Sequence, residues 1–329
     1  MKTNDVIALG NALMDILVEV DESMLTELEL KKGEMCLANK DQAIKLLTQI
    51  QASNLQAEYV PGGSAANTIR GITLLGGKTI LCGAIGKDVH GALYEQEICR
   101  AGVVSRLQKS STITGCALTF ITPDTQRTFF VHLGASLEMK KEDLLENDIK
   151  QSKILHIEGY QLEGNTKEAV LHALMLAKKN QTLISLDLAD PGVVRRNKPI
   201  IKEVVTNYAD IIFANEEEAK EYTGKVAHAA VVELGQRAQL AIVKLGKSGS
   251  LLYHNKSIIT IPAVIANAID TTGAGDSYAA GLLYGFCNNW TLDKAAGLGS
   301  LLAARVVEQK GVRLVGIDAD LLKKEILKK

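Results

Sequence analysis

The run Asp270-Thr271-Thr272-Gly273-Ala274-Gly275-Asp276, continued by Ser277-Tyr278-Ala279-Ala280-Gly281, sets small residues and a carboxylate where the pattern predicts the start of a helix. Gly273, Ala274 and Gly275 carry almost no side chain. Their backbone N–H groups can therefore close on an anion at a helix N-terminus, where unpaired donors and the helix dipole both favour negative charge. Asp276 follows directly and is aimed at the same spot. In a purely structural turn a carboxylate there would repel the anion it helps to surround. It makes sense as the group that accepts a proton from an attacking hydroxyl while the N–H groups hold the phosphoryl being transferred. The competing reading is an ordinary Gly-rich turn whose Asp complements the helix dipole.

Three further clusters have the same double character. Gly10-Asn11-Ala12-Leu13-Met14-Asp15 follows the first predicted strand, so that Asn11 and Asp15 project from its carboxyl end toward a ligand's vicinal hydroxyls, or serve only as turn residues. Pro61-Gly62-Gly63-Ser64-Ala65-Ala66-Asn67 opens another helix. Its glycines admit a ligand to the backbone and Asn67 offers an amide, unless this is a plain capped turn. Asn215-Glu216-Glu217-Glu218 opens a third. Its acidic run is either a solvated, dipole-matching face or, through Asn215 and Glu218 on one helical side, a holder of the waters around a magnesium ion that bridges nucleotide phosphates.

Two nucleotide motifs are excluded. Gly246-Lys247-Ser248 lacks the P-loop's first glycine, because Ala241 stands there, and Gly249-Ser250-Leu251-Leu252-Tyr253 reads as a strand where a P-loop needs a helix. No Gly-x-Gly-x-x-Gly follows the first strand, so a Rossmann oxidoreductase fails as well.

The elements that must position these residues are short apolar runs alternating with helical patterns. The runs are Thr79-Ile80-Leu81-Cys82, Ile154-Leu155-His156-Ile157, Thr182-Leu183-Ile184-Ser185-Leu186, Asp210-Ile211-Ile212-Phe213 and Leu240-Ala241-Ile242-Val243, and residues 167–179 read as an amphipathic helix. That alternation predicts an α/β fold with a parallel sheet covered on both faces, and ligands beyond the strands' carboxyl ends. Residues 115–133 depart from it: two strand-like runs flank the turn Pro123-Asp124-Thr125-Gln126, a β-hairpin. Residues 13–37 can add strands to that hairpin, making either a small lid sheet or an edge extension of the main sheet.

Bulk properties fit a globular enzyme: 329 residues, 47% hydrophobic and 23% charged, enough to bury a large core. Lys+Arg 37 against Asp+Glu 38 leaves a net charge of −1, which provides no basic field for nucleic acid or an anionic membrane and favours a small-molecule substrate. Five widely spaced cysteines without a Cys-x-x-Cys argue against a disulfide framework or zinc site. No run of about eighteen apolar residues and no signal-like N-terminus occurs, so a cytoplasmic location is expected.

Taken in order, Gly10-Asn11-x-x-x-Asp15, Gly62-Gly63-x-x-x-Asn67, Asn215-x-x-Glu218 and the 270–281 string resemble the ribokinase-like (PfkB) carbohydrate and nucleoside kinases over residues 6 to about 311. The resemblance implies a three-layer ribokinase-like α/β sandwich with a mostly parallel central sheet and a small β-sheet lid. It also implies a single kinase domain over 1–329, its lid built from about 12–38 and 112–135. Asp276 then looks like the catalytic base, with Gly273, Ala274 and Gly275 as the anion hole, and Asn11, Asp15, Gly62, Gly63 and Asn67 as ligands of sugar hydroxyls. ATP would contact Lys244, Gly246, Gly249 and Ala266, the last within an adenine pocket formed by 263–268 and 299–303. The family usually has Thr where this chain has Lys244, which points either to phosphate or to solvent. Asn215 and Glu218 look like the magnesium motif, and Asp270 and Thr272 like a potassium site found in many members.

The opening motif and Gln126-Arg127-Thr128 in the hairpin most resemble the adenosine kinase branch. The expected reaction is transfer of the ATP γ-phosphate to the primary hydroxyl of a nucleoside, adenosine to AMP. The alternative acceptor is ribose, a ketohexose or a keto-deoxy sugar acid. Arg127 is either a neutraliser of the transferring phosphoryl or a surface charge, and Phe120, Phe129 and Phe130 are candidates to cover a base. The protein is expected to work as a monomer or homodimer.

Overall fold

The computed structural model describes residues 2–28, 30–33, 35–52, 55–124 and 126–328, so Thr125 of the predicted turn lies outside the described residues. Its strands are β1 (Asn4–Leu9), β2 (Leu13–Glu19), β3 (Met35–Leu37), β4 (Ala57–Gly62), β5 (Thr79–Gly86), β6 (Val104–Ser110), β7 (Gly115–Ile121), β8 (Arg127–His132), β9 (Ser152–Glu158), β10 (Leu183–Asp187), β11 (Ile211–Asn215), β12 (Leu240–Lys244), β13 (Ser250–His254) and β14 (Ser257–Ile261). Nine of them form one sheet in the order β14-β13-β12-β11-β10-β9-β1-β5-β6. It is parallel from β6 to β12 and antiparallel only at β13 and β14. The strand order departs in opposite directions from β1 and β9, which makes the carboxyl ends of those two strands the expected ligand crevice.

Apolar residues on alternate sides of each strand build two cores. Val6 and Ala8 join one, with the helices Ser64–Leu74, Ala274–Cys287 and Leu292–Val307. Ile7 and Leu9 join the other, with the helices Thr166–Lys179, Lys198–Asn207 and Ala227–Gly235. Because both faces are covered, β5 is buried at every position and reads as an apolar run rather than an alternation. This is the α/β architecture expected from the strand–helix alternation.

The hairpin is real: β7 and β8 pair antiparallel with Thr119 opposite Phe129. It belongs to a separate five-stranded sheet, β3-β8-β7-β2-β4, to which residues 13–37 contribute β2 and β3. The sheet also contains β4, in the segment just before the Gly62-Gly63 turn. Pro61 disguises this strand in the sequence and is tolerated because β4 is an edge strand, paired only to β2. Two of the hairpin phenylalanines are not free to cover a base. Phe120 and Phe130 point inward and are 0% and 6% exposed in the core, whereas Phe129 lies half-buried on the strand face that also carries Arg127. Among the described residues no helix is long and apolar enough to cross a membrane.

Candidate active site

Asp276 is the third residue of the helix Ala274–Cys287, and Gly273 is its N-cap at φ 73°. The Ala274 N–H is engaged with the Thr271 carbonyl at 3.2 Å, so it is the least available of the three donors expected to line an anion hole. The Asp276 carboxylate accepts from Ser64 Oγ at 2.6 Å and from Asn67 Nδ2 at 2.9 Å. These partners come from the helix Ser64–Leu74, which packs so tightly against the Asp276 helix that a Cβ on Gly71 would stand 2.7 Å from Ala280 Cβ. Only glycine permits that approach, and the approach sets the Asn67–Asp276 contact. Burial raises the Asp276 pKa, while the Ser64 and Asn67 hydrogen bonds and the Lys244 charge pull it back.

The substrate-side residues converge on the same point. Gly63 caps the Ser64 helix at φ 91°, and a Cβ there would lie 2.1 Å from the Asn11 carbonyl oxygen. Asn11 follows β1, as expected, but Asp15 is the third residue of β2 in the smaller sheet and not at the end of β1. Its carboxylate lies directly over Gly62, where an added Cβ would meet it at 2.2 Å. Burial, opposed by Arg70 and reinforced by Asp276, pushes the Asp15 carboxyl up to about 7. Asn11 Oδ1 and Asn67 Oδ1 are buried acceptors without a hydrogen-bond partner. An orphaned buried acceptor is costly, and a hydroxyl-rich ligand supplies the donors that both lack.

The carboxyl ends of β9, β10, β11 and β12 present Glu158, Asp187, Asn215 and Lys244 in a row, with Asp187 beside Glu158 and Asn215 beside Lys244 in the register. Asn215 and Glu218 form a capping box: Asn215 N donates to Glu218 Oε2 and Glu218 N to Asn215 Oδ1, both at 2.8 Å. Glu216 and Glu217 are the solvated residues of the acidic run, whereas Glu218 is 3% exposed and pushed up to about 7, first by burial and then by Asp187. Glu158, 1% exposed with Oε1 unpartnered, is pushed up to about 8 by burial and by Asp276. Lys244 is mostly withdrawn from solvent, its side chain 16% exposed. Its Nζ pairs with Asp187 Oδ2 at 2.8 Å and lies 3.0 Å from where a Cβ on Gly275 would be. Gly246 and Gly249 take positive φ in the turn after β12, and Ala266 is half-buried in the segment between β14 and the Asp276 helix.

Arg127 is tied down. Its guanidinium pairs with Asp270 Oδ2 at 2.7 Å and donates to Thr272 Oγ1 at 3.3 Å. Asp270 also accepts from Thr272 N at 3.0 Å and Gly311 N at 2.6 Å, so both of its oxygens are used. The Asp270 and Thr272 side chains are thus both engaged within the chain.

Sequence reasoning overlooked Ser64, Glu158 and Asp187. For the last two a signal was present: each is a carboxylate ending a buried apolar strand. For Ser64 there was none beyond its place in a glycine turn. An open surface groove of about 870 Å³, lined by Leu137, Lys141 and Glu168 among others, shares no residue with this cluster.

Residues 37–319 match the pfkB family carbohydrate kinases. The chain belongs to the PfkB family. It is accordingly a phosphotransferase with an alcohol group as acceptor, and kinases of this family use ATP. It is 30% identical over 266 residues to a 5-dehydro-2-deoxygluconokinase of Geobacillus thermodenitrificans, covering 76% of this chain and 79% of that one. It is 25% identical over 334 residues to an adenosine kinase of Dictyostelium discoideum, covering 94% and 96%. Among solved structures it resembles the adenosine kinase from Sinorhizobium meliloti at 31% identity, with a TM-score of 0.87 over 99% of both chains. Relatives of both substrate types thus match at similar identity.

Proposed function

We propose that the protein transfers the γ-phosphate of ATP to the primary hydroxyl of a nucleoside, adenosine first, in one domain whose smaller sheet serves as a lid. The observation that carries the chemistry is the Asp276 carboxylate, held by Ser64 and Asn67 at the start of a 14-residue helix, beside Gly275 and Lys244. In the reaction Asp276 accepts the hydroxyl proton, and the freed oxygen forms a bond to the γ-phosphorus. The bond from that phosphorus to the β,γ-bridging oxygen breaks, and its electron pair leaves with ADP. The N–H groups of Gly273 and Gly275 and the Lys244 ammonium face the charge that develops. Asn11, Asp15 and Asn67 bind the acceptor's hydroxyls, and Gly246, Gly249 and Ala266 border the nucleotide.

Magnesium fits as a hydrated ion. Each Glu218 oxygen accepts one hydrogen bond from Asn215 and keeps a second lone pair, through which the pair can hold the ion's waters without breaking the capping box. When bound, the ion neutralises charge on the β- and γ-phosphates.

The nucleoside reading is supported by end-to-end similarity to adenosine kinases, 94% of the chain against 76% for the deoxygluconokinase, and by Phe129 on the Arg127 face of β8. The second reading, a keto-deoxy sugar acid, is favoured by one feature. Arg70, whose Nη1 donates to the Pro61 carbonyl at 2.9 Å, is a largely desolvated cation close enough to Asp15 to lower its pKa, and an acidic acceptor needs such a partner. ADP release with magnesium and adenosine, ribose or 5-dehydro-2-deoxygluconate decides between them. Saturable turnover on adenosine is expected, and turnover confined to the keto-deoxy acid transfers the assignment to the second reading.

A further inference from the structure

Lys244 stands between two anions. One is permanent: Asp187, at the end of β10, whose carboxylate meets Nζ at 2.8 Å with the two side chains 9% and 16% exposed. The other is transient, since Nζ also lies against Gly275, where the nucleotide's phosphate is read to sit. The remaining charged groups at this point are Glu158, Glu218 and Asp276, all carboxylic acids, and the neighbouring His156 is 0% exposed with Nδ1 on Ser185 Oγ at 3.0 Å. Lys244 is therefore the cation of an otherwise acidic strand-end row. An ammonium has three donors and a flexible stem, so it can move between acceptors in a way that a threonine hydroxyl cannot.

We propose that Asp187 is a positioning residue for the phosphate site: it holds Lys244 aimed at Gly275 in the empty enzyme and gives the ammonium up to the nucleotide's terminal phosphate on binding. This rests on reading the Gly273–Gly275 turn as the phosphate site. The Asp187–Lys244 pair carries two costs and one benefit. Burying two charges is expensive, and their mutual attraction competes with the incoming phosphate. The benefit is that the ammonium is already desolvated and oriented when phosphate arrives, and Asp187 remains to repel phosphate once the product leaves.

The test is a double-mutant cycle on ADP binding without metal, measured by isothermal titration in EDTA, so that it reads out whether or not any acceptor is turned over. Lys244→Thr is expected to weaken binding about tenfold or more, the worth of one charge-assisted hydrogen bond. Asp187→Asn is expected to weaken it severalfold, because the ammonium is no longer held at Gly275. In the double variant the loss from Asp187→Asn is expected to vanish, because it acts through Lys244. An effect of Asp187→Asn that persists in the Lys244→Thr background means that Asp187 acts by its own charge, and overturns the proposal; so does tightened binding in Asp187→Asn alone. Lys244→Met and Asp187→Ser replace either variant if it does not fold, with the same expected signs. Absence of turnover in the unaltered enzyme on adenosine, ribose and 5-dehydro-2-deoxygluconate, with the cycle intact, would instead count against the proposed acceptor.

Discussion

Asp276→Asn separates the chemistry from the fold more cleanly than any other change. The carboxylate accepts two hydrogen bonds, from Ser64 Oγ at 2.6 Å and Asn67 Nδ2 at 2.9 Å. An amide keeps one acceptor oxygen for Ser64 but turns an N–H₂ toward the Asn67 N–H₂. That conflict has a local solution: Asn67 Oδ1 has no partner, so rotating the Asn67 side-chain amide lets it accept from the new group. The substitution also removes a carboxylate that burial disfavours. Stability should therefore change by no more than about 1 kcal/mol, the net worth of one neutral hydrogen bond. The rate should fall by about 10² to 10⁴, the contribution of a general base, which is about 3–5 kcal/mol of barrier. Steady-state kcat and KM for ATP, beside a denaturation curve, are the assay. A kcat within a few-fold of the unaltered enzyme would refute the role of Asp276, and a comparable loss in a variant destabilised by several kcal/mol would refute the separation of chemistry from fold.

Other outcomes follow from the same contacts. Because the Ser64 hydrogen bond lowers the Asp276 pKa and the base works only when ionised, kcat/KM should rise with pH, and Ser64→Ala should move that rising limb to higher pH; an unmoved limb in a pH–rate profile contradicts the pairing. Glu158 is protonated more readily in the folded chain, at about 8 against 4.5, so its contribution to stability is full below the lower value and lost as pH rises through the higher. Glu158→Gln should therefore look progressively more favourable relative to the unaltered protein in thermal melts taken from pH 5 to 9. Gly63→Ala forces a side chain at φ 91° against the Asn11 carbonyl, so a loss of about 2 kcal/mol or more and a raised acceptor KM are expected from denaturation and kinetics. Arg127→Ala leaves the 4%-exposed Asp270 carboxylate without its cation, and chemical denaturation should register a loss of about 2 kcal/mol or more.

The sequence carried the large sheet because burial on both faces leaves uninterrupted apolar strands, as at β5, and it carried the ligand motifs because close approach of backbone to ligand demands Gly at fixed places. It did not carry β4, whose Pro61 and terminal Gly62 read as turn until β2 is seen beside it. Nor did it tell Phe120 and Phe130 from Phe129, since the side of each hairpin strand that faces the core is fixed by the pairing of β7 with β8 and not by residue type. Ser64 and Asp187 acquire their roles from partners 212 and 57 residues away, a kind of information that lies in helix packing and strand order alone. The position of Lys244 was legible only as a departure from Thr; its direction is given by Asp187.

The most direct test of the account is a crystal structure with acceptor and a non-hydrolysable ATP analogue bound together. The acceptor's primary hydroxyl oxygen is expected within about 2.6–3.2 Å of an Asp276 carboxylate oxygen. The γ-phosphate is expected on the Gly275 N–H and Lys244 Nζ. A hydroxyl facing another group, or a phosphate seated away from the Gly273–Gly275 turn, would contradict it.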